Sequence, residues 1–188
     1  LKNILIRSAT QEGLADFRGD ITPELLTIYE TLAAGGVGAI ITSMVGVDEY
    51  SRVFLKMIKT YRDSFVSSFS ELVDKVHKHH CKIIVQLAHN GAKANPDNGG
   101  RPLAPSDFSV NPQKPAQAMT KNEINATVNS FANSALKCKE AGADGVQIHA
   151  AHGYLLSQFL SPFLTNEMIN MAGISPIERE LFLRYTLP

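Results

Sequence analysis

Short apolar runs alternate along the chain with longer stretches in which apolar residues recur at helical spacing. The runs predict buried strands at residues 4–8, 37–42, 83–87 and 146–149, because they are short and rich in β-branched residues. Strands that alternate with helices are typical of a parallel sheet covered by helices. The pattern therefore predicts an α/β fold.

Residues that commonly begin or end helices mark the segments between these strands. Thr22 and Pro23 suit the N-cap and the first position of a helix, and Gly35-Gly36 would end it. Further helices are expected at residues 63–80, after Thr120, and after Ser175-Pro176. Residues 90–119 are rich in Pro, Gly and Asn and predict a long loop.

Four such strands fit either a doubly wound sheet or the first half of a (β/α)8 barrel, whose complete form needs about 250 residues. Both architectures bind ligands at the carboxyl ends of their strands. The residues that follow the four predicted strands are, in order, Thr10, Met44, Gln86 with His89, and His149. We therefore expect side chains from four strands to meet on one face of the sheet.

Composition narrows the classes of function. The 188 residues carry a formal net charge of zero, so nothing favours a nucleic acid or an anionic membrane as partner. No apolar run is long enough to span a bilayer, and the opening residues show no signal-peptide pattern. Cys81 and Cys138 lie in no metal or redox spacing and predict buried thiols in a reducing compartment. We expect a cytoplasmic protein that acts on a small molecule.

Two histidines and a tyrosine follow the fourth predicted strand within six residues, at His149, His152 and Tyr154. Imidazole N–H groups aimed at one carbonyl oxygen would stabilise developing enolate charge, and Tyr154 would then protonate the neighbouring carbon as a general acid. Two other interpretations stay open. The histidines are structural, or they bind a metal ion with His89 as the third ligand.

Gln86, at the end of the third predicted strand, carries an amide that offers a donor and an acceptor side by side. This pair of groups matches the edge of a pyrimidine-like ring. A role in a structural hydrogen-bond network is the alternative for this glutamine.

At these residues the chain resembles the N-terminal half of old yellow enzyme family proteins, in the NADH:flavin oxidoreductase and 2,4-dienoyl-CoA reductase branch. The resemblance extends to about Pro162 and is most specific at residues 145–162. Other segments that carry it are Arg7-Ser8-Ala9-Thr10-Gln11-Glu12-Gly13, Val85-Gln86-Leu87-Ala88-His89-Asn90-Gly91 and Ala104-Pro105-Ser106.

The resemblance implies a (β/α)8 TIM barrel, truncated here to about the first four βα units within one partial FMN-binding domain at residues 1–188. It implies FMN as the cofactor, NADH or NADPH as the reductant, and an alkene conjugated to a carbonyl group as the substrate. The implied cofactor contacts fall on Ala9, Thr10, Met44, Gln86 and His149. The implied catalytic residues are Tyr154 as proton donor, with His149 and His152 holding the substrate carbonyl or the flavin edge.

Several positions depart from the family pattern. Family members usually have Arg at the position of Ala92 and a small residue at that of Met44. The family motif expected after Pro162 is retained only at Asn166, Gly173, Ser175 and Arg179. The second four βα units, where the family binds the FMN phosphate, are absent from these residues.

Two alternatives therefore accompany the FMN-dependent oxidoreductase. One is a degenerate, non-catalytic half-barrel that acts as an assembly or binding module, with its open sheet edges covered by a homo-oligomer or by a missing C-terminal half-barrel. The other is a metal-dependent lyase or hydrolase that uses His89, His149 and His152.

Overall fold

The computed structural model describes residues 1–107, 112–161 and 164. Its elements follow in the order β1 (Ile6–Arg7), α1 (Pro23–Ala34), β2 (Ala39–Gly46), α2 (Phe65–His77), β3 (Lys82–Ala88), β4 (Leu103–Ala104), β5 (Gln117–Ala118), α3 (Lys121–Glu140), β6 (Gly145–Ile148) and α4 (Leu155–Leu160). The helix predicted after Ser175-Pro176 and the family motif of residues 166–179 lie outside the described residues.

Four strands form one parallel sheet in the order β1-β2-β3-β6. Spatial order follows chain order, as in consecutive units of a (β/α)8 barrel, whereas a doubly wound sheet reverses direction partway. The α1, α2 and α3 helices connect successive strands. The predicted α/β fold with barrel-type order is therefore confirmed.

The core lies between the sheet and its helices. Ile83, Val85 and Leu87 alternate along β3 and are fully buried on the helix side. They belong to one apolar cluster with aromatic residues from all three helices, namely Tyr29, Phe65, Phe69 and Phe131. The thiols of Cys81 and Cys138 are also free and buried, as the sequence predicts. Burial of this face holds the strand ends in fixed positions.

Helix starts follow the predicted capping residues. Thr22 accepts a hydrogen bond from the Leu25 amide at the start of α1. Thr120 and Glu123 form a reciprocal capping box at the start of α3. Each cap satisfies backbone N–H groups that a helix leaves unpaired at its first turn.

The prediction of a buried first strand at residues 4–8 is wrong. Only Ile6–Arg7 forms a strand, and Ile4, Leu5 and Ile6 are 92%, 63% and 49% exposed. The reason is position in the sheet. Within the described residues β1 pairs only with β2, so it is an edge strand and no second neighbour covers its apolar side chains.

The long segment between β3 and α3 contains more structure than the predicted loop. Two 3-10 turns, Gly91–Lys93 and Pro96–Asn98, are followed by a small parallel ladder between β4 and β5. The α4 helix was not predicted either, because its six residues fall within residues 145–162, which the sequence marks as candidate functional residues. No helix in the described part of the chain is both long and apolar enough to cross a bilayer.

Candidate active site

The rings of His149, His152 and Tyr154 form one cluster just past the carboxyl end of β6. The His149 ring centroid lies 4.9 Å from that of Tyr154 and 5.1 Å from that of His152, in both cases edge to face. The centroids of His152 and Tyr154 are 6.3 Å apart. The structure therefore brings together the three side chains that the sequence singles out as reactive.

A tight turn produces this cluster. The His149 amide still bonds to the Leu87 carbonyl at 2.9 Å, so His149 continues the ladder at the end of the sheet. His152 and Gly153 then adopt left-handed φ angles of 57° and 66°, and the Tyr154 amide bonds back to the Ala151 carbonyl at 3.1 Å. A non-glycine residue in this conformation is strained, which is common at functional sites.

The hydrogen bonds of the two imidazoles indicate their tautomers. His149 Nδ1 accepts from the Ala151 amide at 3.3 Å, so the proton of neutral His149 lies on Nε2. That Nε2 is 3.3 Å from His152 Nδ1 and donates to it. The N–H of His149 is thus already used, and the Nε2–H of His152 is the donor left for a ligand.

Burial shifts the pKa values of His149 and Tyr154. Burial lowers the pKa of His149 below its ordinary 6.5, and the neighbouring His152 lowers it further. Burial also raises the pKa of Tyr154 above 10.0. At neutral pH the site therefore contains a neutral His149 beside a protonated phenol, which are the forms that donate hydrogen bonds and a proton.

Gln86 lies one strand away and joins a network, as its alternative interpretation predicts. Its Nε2 donates to Gln147 Oε1 at 2.7 Å, and its backbone N–H donates to Thr42 Oγ1 at 3.0 Å. Its Oε1 makes no hydrogen bond to any described residue. Met44 is paired with Gln86 in register across β2 and β3, after an irregularity between Ile41 and Met44, and is 8% exposed.

Ala9 and Thr10 lie in the loop after β1. The loop is anchored by a partly buried ion pair between Arg7 Nη2 and Glu12 Oε1 at 2.5 Å, and the Tyr29 hydroxyl donates to the same carboxylate oxygen at 3.1 Å. Sequence reasoning missed this anchor. The available signal was a charged Arg7 inside a predicted buried strand, since a buried charge calls for a partner.

His89 is fully buried at the end of β3. It does not form a metal site with His149 and His152. Its Nδ1 accepts from the Gly91 amide at 3.0 Å, and its Nε2 lies 3.5 Å from Asp48 Oδ1. Burial lowers the pKa of His89, and Asp48 opposes that effect. No three His, Cys, Asp or Glu side chains among the described residues are arranged to hold a metal ion.

Two further residues of the site were not predicted. Gln147 orients the Gln86 amide. The sequence signal for Gln147 was the alternation of side chains along β6, which places Gln147 in register with Gln86 on the neighbouring strand. Lys93 lies with its Nζ 5.4 Å from the centroid of the Tyr154 ring. No sequence signal points to Lys93, because α3 and β6 lie between it and Tyr154 in the chain.

The donor set at the carboxyl face fits the ring of a flavin. The Gln86 amide keeps a free carbonyl oxygen beside its bonded nitrogen, and a flavin pyrimidine edge needs both an acceptor and donors. The half-buried backbone at Ala9 lies at the same carboxyl end of the sheet, two residues past β1. The groups at the ends of the described strands suit the ring end of this cofactor, and in (β/α)8 barrels the loops after strands seven and eight frequently bind a phosphate.

Known proteins share this architecture. The structure aligns with that of Old Yellow Enzyme from Pichia sp. AKU4542 with a TM-score of 0.87 and 28% sequence identity, over 99% of this chain and 52% of that protein. The chain is also 38% identical to an NADPH dehydrogenase of Halalkalibacterium halodurans, over 98% of its own length and 54% of the relative's. It is 33% identical to an NADH oxidase of Thermoanaerobacter brockii, over 92% of this chain and 27% of that protein.

The chain spans about half the length of the NADPH dehydrogenases that it matches. The sequence model of one family covers residues 1–187, which is nearly the whole chain. The resemblance and the barrel-type α/β fold expected from the sequence are thereby confirmed: the chain belongs to the NADH:flavin oxidoreductase / NADH oxidase family.

Proposed function

We propose that residues 1–188 form one partial FMN-binding barrel domain, the ring-binding and substrate-binding part of an oxidoreductase. NADH or NADPH is the reductant, and an alkene conjugated to a carbonyl group is the substrate. Bound FMN would supply the hydride chemistry. The observation that carries this proposal is the cluster of His149, His152 and Tyr154 at the carboxyl end of β6, in a chain of this family.

The residues of this chain divide the remaining work. Ala9, Thr10 and Met44 line the flavin, and Gln86 bonds the pyrimidine edge with an amide that Gln147 holds in place. This assignment predicts that the Gln86 carbonyl accepts from the ring while its second N–H donates to it.

The substrate carbonyl is held by the imidazole pair. His152 Nε2–H donates to the carbonyl oxygen, and His149 supports it by donating to His152 Nδ1. A donor that is already in place as the oxygen gains charge lowers the barrier without reorganisation. Tyr154 then gives its phenolic proton to the carbon next to the carbonyl.

The experiment is a comparison of the two half-reactions in Tyr154→Phe. The variant should slow alkene reduction by about 100-fold or more, within the usual contribution of a general acid, and leave flavin reduction by NAD(P)H nearly unchanged. Stopped-flow absorbance of the flavin measures both steps. Equal loss in the two half-reactions would remove Tyr154 as proton donor, and protein that takes up no FMN would remove the cofactor assignment for this chain.

A role as a non-catalytic assembly module remains a prediction. The exposed apolar residues of the β1 edge, Ile4 and Leu5, are the surface that self-association would cover. Light scattering of the purified chain tests it, and a monodisperse monomer would contradict it.

A further inference from the structure

We propose that Lys93 is a positioning residue for Tyr154. The ammonium group of Lys93 stabilises the tyrosinate that remains after Tyr154 has donated its proton. Lys93 Nζ donates to the His152 carbonyl at 2.6 Å and lies 5.4 Å from the centroid of the Tyr154 ring. A cation over an aromatic ring is attracted by its electrons, and more strongly when the ring bears a negative oxygen. The inference rests on the role proposed above for Tyr154.

The 3-10 turn that carries Lys93 is locked to the segment that carries Tyr154. Gln158 is 1% exposed, and its amide bridges the two. Its Oε1 accepts from the Ala92 amide at 3.1 Å, and its Nε2 donates to the Gly153 carbonyl at 2.8 Å. Because the bridge is buried and satisfied at both ends, the backbone of Lys93 is held relative to Tyr154.

Two glycines permit this close approach. Gly91 has a φ of 59°, and a Cβ there would come within 2.4 Å of Gln158 Oε1. At Gly153, with a φ of 66°, a Cβ would lie 3.3 Å from Lys93 Nζ. Both positions favour glycine for conformation, and Gly91 also does so for space, because a Cβ there would displace the Gln158 bridge.

Proton donation by Tyr154 leaves a negative charge that Lys93 would stabilise. When the O–H bond breaks, its electron pair stays on the phenolic oxygen and the proton forms a C–H bond at the carbon next to the carbonyl, on the enolate left by hydride addition. Water later returns a proton to the oxygen. Burial raises the pKa of Tyr154, so the tyrosinate is costly unless a positive charge lies nearby.

Other titratable groups that face the Tyr154 ring are the imidazoles of His149 and His152. Burial and the neighbouring His152 lower the pKa of His149, so this imidazole is uncharged in the range in which a tyrosine ionises. Among the ring contacts of Tyr154 within the described residues, the ammonium group is that of Lys93.

The test measures the ionisation of Tyr154 directly. The protein is labelled with 3-fluorotyrosine, and fluorine NMR follows each of its five tyrosines against pH. The Tyr154 resonance is the one missing in Tyr154→Phe. This readout needs neither cofactor nor turnover.

Three variants separate charge from structure. Lys93→Gln keeps a donor for the His152 carbonyl but removes the charge, and Lys93→Arg keeps the charge. Lys56→Met is the matched control, because Lys56 Nζ lies 5.1 Å from the centroid of another ring, that of Phe17. We expect Lys93→Gln to lower the ionisation constant of Tyr154 by roughly three- to tenfold, the range for a partly exposed cation–π pair, and the other two to leave it near wild type.

An unchanged ionisation constant in Lys93→Gln, or an equal shift in Lys56→Met, overturns the proposal. In the FMN-loaded protein Lys93→Gln should slow alkene reduction and leave flavin reduction unchanged. If the titration of Tyr154 shifts but alkene reduction is not slowed, the role of Lys93 in the reaction is overturned. Failure of the proposed function looks different. Tyr154→Phe would then leave alkene reduction intact, while the Lys93→Gln titration would still shift.

Discussion

The two ends of the parallel sheet differ in how completely their polar groups are paired. At the amino end Asp144 accepts from Lys82 Nζ at 2.6 Å, from His77 Nε2 at 2.8 Å and from the Ile83 amide at 2.9 Å. At the carboxyl end the loops after β1, β2 and β3 contain every buried side-chain atom that lacks a hydrogen bond in the described part of the chain. These atoms belong to Gln11, Glu12, Tyr61, His89 and Asn90.

We interpret this difference as a division between stability and function within one sheet. An unpaired buried polar atom costs free energy and is kept where a ligand or a reaction makes use of it. Left-handed backbone does not distinguish the two ends, because His152 at the carboxyl end and His80 at the amino end have φ angles of 57° and 53°. The amino end connects β3, β6 and α2 through one carboxylate, which is the kind of contact that barrels use for stability.

The largest effect is expected at the amino end, from Asp144→Ala. The change leaves the Ile83 N–H without its acceptor and removes two charge-assisted hydrogen bonds from a carboxylate that is 19% exposed. We expect a loss of about 2–3 kcal/mol in the free energy of unfolding, measured by urea denaturation. The geometry of the His149 cluster, followed by the fluorine resonance of Tyr154, should not change.

Asp74→Ala is the matched control for this prediction. Asp74 is an exposed carboxylate on α2, and its loss should change the free energy of unfolding by no more than about 0.5 kcal/mol. Equal losses in Asp74→Ala and Asp144→Ala would mean that the network around Asp144 contributes nothing specific.

The two ends should also lose stability in different pH ranges. The folded pKa of His149 is lowered, so the unfolded chain binds its proton more tightly and stability falls as the pH drops below about 6.5. Burial alone would raise the pKa of Asp144, but hydrogen bonds from Lys82, His77 and the Ile83 amide lower it below 3.8 overall. Its contribution is therefore present above about pH 3.8 and is lost in stronger acid.

Thermal melts between neutral and acidic pH measure both ranges. His149→Gln should reduce the loss in the mildly acidic range, and Asp144→Asn should reduce the loss in strong acid. If His149→Gln left the mildly acidic range unchanged, the lowered pKa of His149 would not be a source of that instability.

The sequence predicted the repeating parts of the fold better than the relations between them. Capping at Thr22 and Thr120 and the apolar run of β3 are local, so one segment is enough to recognise them. The exposure of β1 depends on which strand lies beside it, and the sequence of residues 4–8 alone does not contain that information.

The candidate site shows the same limit. His149, His152 and Tyr154 are close in sequence and were predicted together, whereas Lys93 reaches Tyr154 through a fold that joins distant segments. The tautomers that leave His152 Nε2–H as the free donor follow from the Ala151 amide, which only the turn geometry reveals.

The smallest effect is expected at the carboxyl end, from Tyr61→Phe. The Tyr61 hydroxyl is buried and makes no hydrogen bond to the described residues, and burial raises the pKa of this phenol. Its removal should leave the free energy of unfolding unchanged or raise it by up to about 1 kcal/mol, because an unpaired polar group is lost.

Tyr29→Phe is the matched control, since the Tyr29 hydroxyl donates to Glu12 and accepts from the Ser43 amide. That control should lose about 1–3 kcal/mol. A comparable loss in Tyr61→Phe would show that its hydroxyl is paired, and the contrast between the two ends of the sheet would weaken accordingly.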